Sequence, residues 1–434
     1  MNSEEFKKRR RQLMRMVGQG GIVILPAAPV RMRSRDVEYR FRQDSDFFYM
    51  TGFAEPEAVA VLIPGREKGE YLLFCRERNK KREQWDGLRA GQRGAVDQYG
   101  ADDAFPIEDL DDILPGIMES CDRVYYTMGM YSEFDSRMAD WVNTLRSRLR
   151  RGTQTPHEFV ALDHLLHDMR LYKSRSEISA LRKSAKVAVE AHKRAMRVTR
   201  PGLFEYEIEA EFIHEFRQND ASNSYSPIVG GGKNACVLHY IDNNAELKDG
   251  DLLLIDAGCE LDYYASDVTR TFPINGKFSP EQLAVYEIVL AAQEAAIEKI
   301  IVGNHWNEPH DAAVKVITKG LKKLGLLEGS LGSLIKTAAY QPFYMHRTGH
   351  WIGMDVHDVG DYKVGNKWRM LEVGMVTTVE PGIYIGNNRK IPKAFRNIGI
   401  RIEDDVAISN KGPDILSRDL VKEPDAIESL MNDG

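Results

Sequence analysis

The chain is poor in cysteine, with only four among its 434 residues and no C-x-x-C pair. Such scattered thiols exclude a cysteine-based zinc site and provide no disulfide framework. The four are Cys75, Cys121, Cys236 and Cys259. We therefore expect buried, reduced thiols and a cytoplasmic protein.

Long apolar runs and an excess of basic charge are also missing. No apolar stretch approaches the roughly 20 residues of a membrane-spanning helix. The formal net charge is -6 at pH 7, which leaves no electrostatic footprint for nucleic acid. With 43% hydrophobic and 29% charged residues the composition is that of an ordinary soluble globular protein, so neither a membrane nor nucleic acid is an expected partner.

The amino-terminal segment "MNSEEFKKRRRQLMRMVG" is basic, but it carries Glu4 and Glu5 and no apolar segment follows it. These features argue against a targeting peptide and favour a solvated amphipathic helix. An interaction tail or a nuclear-type basic motif is the alternative, because short basic runs match such patterns by chance.

The length predicts two domains. The first half alternates apolar runs with helical patterns, and "GIVILP", "FFYMTGF", "AVAVLIP", "EYLLFC" and "RVYYTM" are typical of strands. This indicates an α/β domain over residues 1–172, and residues 173–434 form the second domain.

Two capping boxes mark helices in the second half, at Ser174 with Glu177 and at Ser279 with Gln282. Pro280 occupies the first helical position of the latter. The segments "DLLLIDAG", "YYASDVTRTFPI", "GMVTTVEPGIYI" and "IGIRIEDDVAI" predict strands. Helices packed on a sheet make this an α+β domain.

Four carboxylates interrupt these apolar strands: Asp256, Asp267, Glu380 and Glu403. A buried, isolated carboxylate costs several kcal/mol. One such acid is most often a salt-bridged structural residue, but the same strands supply only Arg270 and Arg401. Two divalent cations would balance four carboxylates, and an oxygen-rich set suits hard ions such as manganese.

A paired-metal site of this kind, completed by one histidine, activates water in hydrolases. The metals alone leave an ester, a phosphoester and an amide open as substrates. The stretch "HRTGHWIGMDVHD" holds three candidate histidines, His346, His350 and His357.

The ordered motifs "YRFRQDSDFFYMTGFAEPEAV", "LHY", "IDAGCE", "SDVTRTFP", "HWIGMDVHD", "VEPGIY" and "GIRIEDD" resemble those of the pita-bread metallopeptidases, and aminopeptidase P in particular. The resemblance covers almost the whole chain. It implies an α/β amino-terminal domain and an α+β pita-bread catalytic domain. It also implies five metal ligands: Asp256, Asp267, His350, Glu380 and Glu403.

By the same resemblance Asp267 and Glu403 bridge two ions, Asp256 holds one of them, and His350 with Glu380 holds the other. Manganese is the expected metal, with cobalt and zinc as alternatives. A metal-bridging hydroxide would attack the carbonyl before proline, with Glu380 as general base.

His239, His346 and His357 are expected to bind the substrate carbonyls and assist proton transfer. Arg401, two residues before Glu403, is expected to orient a ligand or the substrate. The alternatives are satisfied structural histidines and a plain salt bridge.

Trp85 and Arg150 resemble residues that the amino-terminal domain lends to a neighbouring subunit's active site, and ordinary surface or packing roles are their alternative. The resemblance implies a homotetramer or a dimer. Two features depart from the family pattern: Arg347, where we expect a small residue, and the segment 361–370.

The predicted activity is that of an Xaa-Pro aminopeptidase, which releases the first residue of peptides with proline second. A prolidase, which cuts Xaa-Pro dipeptides only, is the alternative. A non-catalytic peptide-binding relative or a metal-free, creatinase-like hydrolase would lack the carboxylate set, and all five ligand positions are present here.

Overall fold

The computed structural model describes residues 3–119 and 121–432, and for Arg151 the backbone alone. The chain divides into two compact units, Met1–His167 and Asp168–Gly434. The division lies between residues 167 and 168, whereas the sequence prediction places the domain boundary at 172.

The first unit contains a six-stranded mixed sheet in the order β6-β5-β4-β1-β7-β8. Its strands are β1 Gly21–Pro26, β2 Met32–Ser34, β3 Val37–Glu38, β4 Val59–Leu62, β5 Tyr71–Cys75, β6 Asp103–Pro106, β7 Arg123–Tyr126 and β8 Glu158–Ala161, with β2 and β3 forming a separate hairpin. Its helices are α1 Ser3–Val17, α2 Ser45–Thr51, α3 Lys80–Asp86, α4 Gly91–Asp97, α5 Leu110–Met118, α6 Ser132–Ser147 and α7 Asp163–Leu171, the last of which runs across the division.

Two details of this unit correct the sequence analysis. The segment "FFYMTGF" lies largely in helix α2, because Asp44 caps the helix by accepting the Phe47 N–H at 2.9 Å and Gly52 ends it at a φ of 67°. These caps outweigh the strand preference of the aromatic residues.

Helix α1 is formed as predicted, but its basic run is not wholly solvated. Arg9 and Arg10 are buried, and their guanidinium groups lie 3.8 and 4.2 Å from the ring centres of Tyr49 and Tyr71. Stacking on aromatic faces stabilises these buried cations.

The second unit packs its helices on small antiparallel sheets. Its helices are α8 Arg175–Val198, α9 Glu205–Gln218, α10 Pro280–Ile297, α11 Glu308–Lys323, α12 Leu331–Lys336 and α13 Pro424–Asn432. Its strands are β9 Ser222–Asn223, β10 Ile228–Gly231, β11 Leu252–Asp256, β12 Cys259–Leu261, β13 Tyr264–Ala265, β14 Thr269–Pro273, β15 Lys363–Val364, β16 Lys367–Trp368, β17 Val376–Val379, β18 Gly382–Ile385, β19 Ile398–Arg401, β20 Asp404–Ser409 and β21 Gly412–Ile415.

Both predicted capping boxes are present in this unit. Ser174 and Glu177 begin α8, and Ser279 and Gln282 begin α10 with Pro280 in its first turn. The strands form the sheets β10-β11-β14 and β17-β20-β21 with the pair β18-β19, and one apolar core joins them to the helices. Within the described ranges, no helix has the length and apolar character that crossing a bilayer requires.

Arg270 forms the most extensively bonded ion pair of this core. Its guanidinium donates to Asp404 Oδ1 at 2.8 Å and to the carbonyls of Glu403 at 2.6 Å, Leu420 at 3.1 Å and Val421 at 3.0 Å. Both charged side chains are 1% exposed. Arg270 therefore neutralises Asp404 and none of the four acids that the sequence singled out.

We expect Arg270→Met to lower the free energy of unfolding by about 3–5 kcal/mol, because it leaves the buried Asp404 charge without its strongest partner. Urea denaturation monitored by circular dichroism measures the change. Arg200→Met is the matched control: Arg200 is exposed and donates only to the Val198 carbonyl at 3.4 Å, so the expected change is under about 0.5 kcal/mol. Equal effects of the two substitutions would contradict the importance of the buried pair.

Candidate metal centre

Two of the four acids are brought together by the pairing of β11 with β14. Asp256 ends β11 opposite Thr269, and the Ala257 N–H donates to the Val268 carbonyl at 3.1 Å. The hydroxyl of Tyr225 lies 2.5 Å from Asp256 Oδ1 and 2.5 Å from Asp267 Oδ1. Residues eleven positions apart in sequence thus present their carboxylates to one point.

Glu403 is held at the same point through Thr269. Its backbone N–H donates to the Thr269 carbonyl at 3.0 Å, and the Thr269 hydroxyl donates to Glu403 Oε2 at 2.6 Å. The segment between β19 and β20 therefore lies against the start of β14, where Asp267 is placed.

His350 and Glu380 are positioned by an extended segment that pairs with β17. Thr378 N–H donates to the His350 carbonyl at 2.9 Å, and Glu380 N–H donates to the Thr348 carbonyl at 2.7 Å. A Cβ on Gly349 would lie 2.1 Å from the Thr378 carbonyl oxygen, so only glycine fits this approach. The "TGH" sequence is thereby hydrogen-bonded to β17 and to Glu380, the residue that follows this strand.

The side chains of Asp267, His350 and Glu403 offer ligand atoms that all lie within 4.8 Å of one another. His350 Nε2 is 3.3 Å from Asp267 Oδ2 and 3.6 Å from Glu380 Oε1, while its Nδ1 donates to the Trp351 carbonyl at 3.0 Å. That backbone bond fixes the tautomer that directs Nε2 to the acids, as is usual for a metal-binding histidine.

Burial of the acids differs from the sequence expectation. Asp267 and Glu403 are 5% and 2% exposed, as predicted. Asp256 and Glu380 are only partly buried, because they stand at the ends of β11 and β17 and not inside them.

Arg401 forms the ion pair that was its alternative role, with Nη2 donating to Asp256 Oδ2 at 2.6 Å. Its Nη1 donates to the Tyr384 hydroxyl at 2.8 Å, which lies 2.9 Å from His346 Nε2. His346 Nδ1 lies 2.7 Å from the Arg347 carbonyl. These contacts assign a directed chain in which Arg401 donates to Tyr384, Tyr384 to His346, and His346 to the backbone.

Three members of the cluster, Glu380, Glu403 and His350, have raised pKa values. Burial raises the pKa of Glu380 to about 7, against the opposing charge of His350. Burial and the neighbouring charges of Asp267 and Glu380 raise the pKa of Glu403 well above its ordinary value. Although burial opposes it, the hydrogen bond to Asp267 and the charge of Glu380 raise the pKa of His350 to about 9.

His346 behaves in the opposite way to His350. Burial and the charge of Arg401 lower the pKa of His346 to about 3, so its imidazole is neutral near pH 7. His357 stands edge-on to His350 with ring centres 4.3 Å apart, and burial with the charge of His350 lowers its pKa as well.

The donor set fits divalent cations. Within the described ranges Arg401 pairs with Asp256, but no lysine or arginine nitrogen lies within 4 Å of a carboxylate oxygen of Asp267, Glu380 or Glu403. Three converging carboxylates and one imidazole nitrogen form an oxygen-rich donor set, which hard cations bind in place of its protons.

A cavity of about 570 Å³ opens beside this cluster. It is lined by Leu238, His239, Trp306, His346, Arg347, Gly349, His350, His357, Tyr362, Trp368, Glu380 and Arg401. The structure thus brings together the predicted His239, His346, His357 and Arg401 with two of the predicted ligands. Trp85 and Arg150 belong to the surface of the first unit, and Trp85 is 85% exposed.

Sequence reasoning missed Tyr225, Tyr384 and the aromatic residues of the cavity wall. Trp306 and Tyr362 line the cavity, and both contact the fully buried Trp351, with ring centres in this group 4.1 to 5.6 Å apart. No local pattern marks Tyr225. Tyr384 alternates with Gly382 in β18, which pairs with the strand of Arg401, and that register was the available signal.

Comparison with known proteins agrees with this geometry. Residues 179–410 match the description "Metallopeptidase family M24", and residues 6–125 match "Aminopeptidase P, N-terminal domain". The chain belongs to the metallopeptidase family M24. The predicted combination of an aminopeptidase P amino-terminal domain with a pita-bread catalytic domain is confirmed.

Relatives of this M24 peptidase match it over its whole length. It is 43% identical to the Xaa-Pro aminopeptidase of Escherichia coli, over 99% of this chain and 98% of that protein. The structure of the Pseudomonas aeruginosa aminopeptidase PepP is 59% identical, with a TM-score of 0.99 over 100% of this chain and 98% of that one. Proline aminopeptidase P II of Yersinia pestis is 44% identical, with a TM-score of 0.97 over 100% of both chains.

Membership of this family implies divalent metal ions, and the cluster of Asp267, His350 and Glu403 supplies ligand atoms for them. The peptidase is therefore a metal-dependent hydrolase.

Metal binding should release protons. Near pH 7 the metal-free protein holds a proton on His350, with its pKa of about 9, and a partial one on Glu380, and the raised pKa of Glu403 adds to this number. A ligand must lose its proton to bind, so we expect more than one proton released per chain and an affinity for Mn²⁺ that rises from pH 6 to pH 9. Calorimetry in buffers of different ionisation enthalpy measures both quantities. The same affinity at pH 6 and pH 8.5 would contradict the assignment of His350.

Proposed function

We propose that this M24 peptidase is an Xaa-Pro aminopeptidase, which releases the first residue of peptides that carry proline second. The observation that carries the proposal is the cluster of Asp267, His350 and Glu403 beside a cavity. The wall of that cavity holds His350 and Glu380 together with His239, His346 and Arg401. Two relatives named Xaa-Pro aminopeptidase match 99% of the chain, which supports the proposal.

The proposed ligands of two divalent ions are Asp256, Asp267, His350, Glu380 and Glu403. When bound, such ions lower the pKa of water towards neutrality and polarise a carbonyl. We assign manganese to the site, because the donors are mostly carboxylate oxygens, with cobalt and zinc as alternatives. The catalytic unit is residues 173–434, and the proposed location is the cytoplasm.

The protein groups have separate tasks in peptide hydrolysis. Glu380, whose carboxylate lies on the wall of the cavity, accepts the proton of the attacking water. The tertiary amide of proline has no N–H, so its nitrogen must receive a proton before it leaves. Glu380 returns that proton, or a histidine of the cavity supplies it.

His239 and His357 act as hydrogen-bond donors towards the substrate carbonyls. They line the cavity with His346, and imidazole N–H groups stabilise a developing oxyanion. His346 already bonds the Arg347 carbonyl through Nδ1 and the Tyr384 hydroxyl through Nε2, so it donates to a substrate only after one of these bonds is released. Arg401 pairs with Asp256 and orients His346 through Tyr384, which makes Arg401 a positioning residue.

Peptide assays separate this function from that of a prolidase. We expect the manganese-loaded protein to cleave Ala-Pro-Ala, whereas cleavage of Ala-Pro and of no longer peptide would establish a prolidase.

Glu380→Gln should lower kcat by about 10²–10⁴-fold, because it keeps the size of the side chain and removes the base. Metal content is measured in parallel. Glu372→Gln, an exposed glutamate bonded to Tyr172, is the control with unchanged turnover.

We infer that the protein forms a homotetramer or a dimer in which Trp85 and Arg150 reach a neighbouring subunit's site. Support comes from the 85% exposure of Trp85 and the 81% exposure of the nearby Leu88, since large exposed apolar side chains mark association surfaces.

A substitution at Trp85 tests this inference. Trp85→Ala should raise KM for Ala-Pro-Ala about tenfold, in the range of a lost aromatic contact, without changing the metal content. Light scattering after size-exclusion chromatography gives the assembly state. Lys80→Ala, on the same helix α3, is the control with unchanged KM. A monomer with full activity would contradict both parts of the inference.

A further inference from the structure

Arg347, which departs from the family pattern, stands exposed in the wall of the cavity. Its guanidinium carbon lies 5.4 Å from the ring centre of Trp368, and its Nη2 donates to Asn307 Oδ1. The Asn307 amide in turn donates to Asp311 Oδ1 at 2.8 Å. Two contacts therefore hold a side chain that would otherwise be mobile.

Within the described ranges no carboxylate oxygen lies within 4 Å of the Arg347 guanidinium. Some exposed arginines of the same unit have such a partner, as Arg217 does in Asp220 at 3.5 Å. Asn307 is a neutral acceptor, so it orients the guanidinium without neutralising its charge. The remaining N–H donors of the fork are available to a planar anion.

A second cation accompanies Arg347. Lys363 Nζ lies 4.3 Å from the ring centre of Trp368, and Lys363 pairs with Trp368 in the β15-β16 hairpin. The half-buried indole of Trp368 thus carries Arg347 and Lys363, and this group of three is called the basic rim. The segment 361–370, which the sequence left unexplained, supplies two of its three members.

The wall of the cavity carries both signs of charge, because Glu380 and Arg347 both line it. A peptide with its charged amino group near the acids extends its carboxyl-terminal part away from them. A carboxylate in that part of the peptide can then meet the positive charge of Arg347.

We propose that Arg347 binds a carboxylate of the peptide beyond proline, and that the terminal carboxylate of a tripeptide is the preferred occupant. The proposal rests on the proposed aminopeptidase function and names a specificity determinant for it. The basic rim then favours short peptides with a free carboxyl terminus over long or amidated ones.

The distances along the chains agree with this assignment. Arg347 is three residues from His350, so their Cα atoms are at most about 11 Å apart. Each residue beyond the scissile carbonyl extends a peptide by up to about 3.5 Å, which puts the terminal carboxylate of a tripeptide about 7 Å away. A side-chain carboxylate at the third residue reaches a similar distance, so the two sources must be separated by experiment.

The test compares three peptides, Ala-Pro-Ala, Ala-Pro-Ala-amide and Ala-Pro-Glu-amide, in the manganese-loaded full chain. We expect KM to be about five- to tenfold lower for the free acid than for its amide, with similar kcat. Arg347→Gln should remove this difference, and Arg347→Lys should restore part of it. Lys367→Gln, an equal charge loss at an exposed position of the same hairpin, should leave the difference intact.

The outcomes distinguish the alternatives. An Arg347-dependent gain for Ala-Pro-Glu-amide alone supports the carboxylate site with the side chain as its source. Hydrolysis of all three peptides with no dependence on Arg347 overturns the proposal while the aminopeptidase function stands. If no peptide is cleaved, the aminopeptidase function fails, and calorimetry decides the subsite: tighter binding of Pro-Ala than of Pro-Ala-amide that is lost in Arg347→Gln supports it, and equal binding rejects it.

Discussion

The second unit is organised around buried acids whose negative charge its own cations do not balance. Arg270 is committed to Asp404 and to backbone carbonyls, and Arg401 is committed to Asp256. Within the described ranges the other three acids, Asp267, Glu380 and Glu403, have the imidazoles of His346 and His350 as their basic partners. Protons neutralise part of this charge in the metal-free protein, which is why the pKa values of Glu380 and Glu403 are raised, and divalent ions would replace those protons.

Backbone pairing, more than side-chain packing, fixes the positions of these acids. Asp256 and Asp267 flank a strand pair, Glu403 follows another strand, and the segment of Gly349 and His350 lies against β17. Ligands on strand ends keep their spacing through hydrogen-bonded ladders, which is a more rigid support than loops provide. The other histidines of the cavity wall, His239, His346 and His357, lie around these strand ends.

Much of the site could be predicted from the sequence because an acid at the end of an apolar run contradicts its surroundings. The capping boxes of α8 and α10 were equally visible, since a capping box depends on two residues three positions apart. Tyr225 and Tyr384 were not, because their contacts are made between segments distant in sequence. The helix at "FFYMTGF" was missed because Asp44 and Gly52, outside the aromatic run, decide its conformation. The sequence also did not reveal that Arg270 pairs with Asp404, because the direction of a side chain cannot be read from the residue pattern.

The bonds of Arg270 have a practical consequence for work on the protein. One guanidinium bonds the carbonyl of Glu403, a proposed metal ligand, and also those of Leu420 and Val421 near the carboxyl-terminal helix. Ending the chain before residue 420 would remove two carbonyl acceptors of the buried Arg270 guanidinium, which also bonds Glu403. Leu420 and Val421 are thus linked through one side chain to the segment that holds Glu403, and a truncation that removes them would disturb a proposed metal ligand.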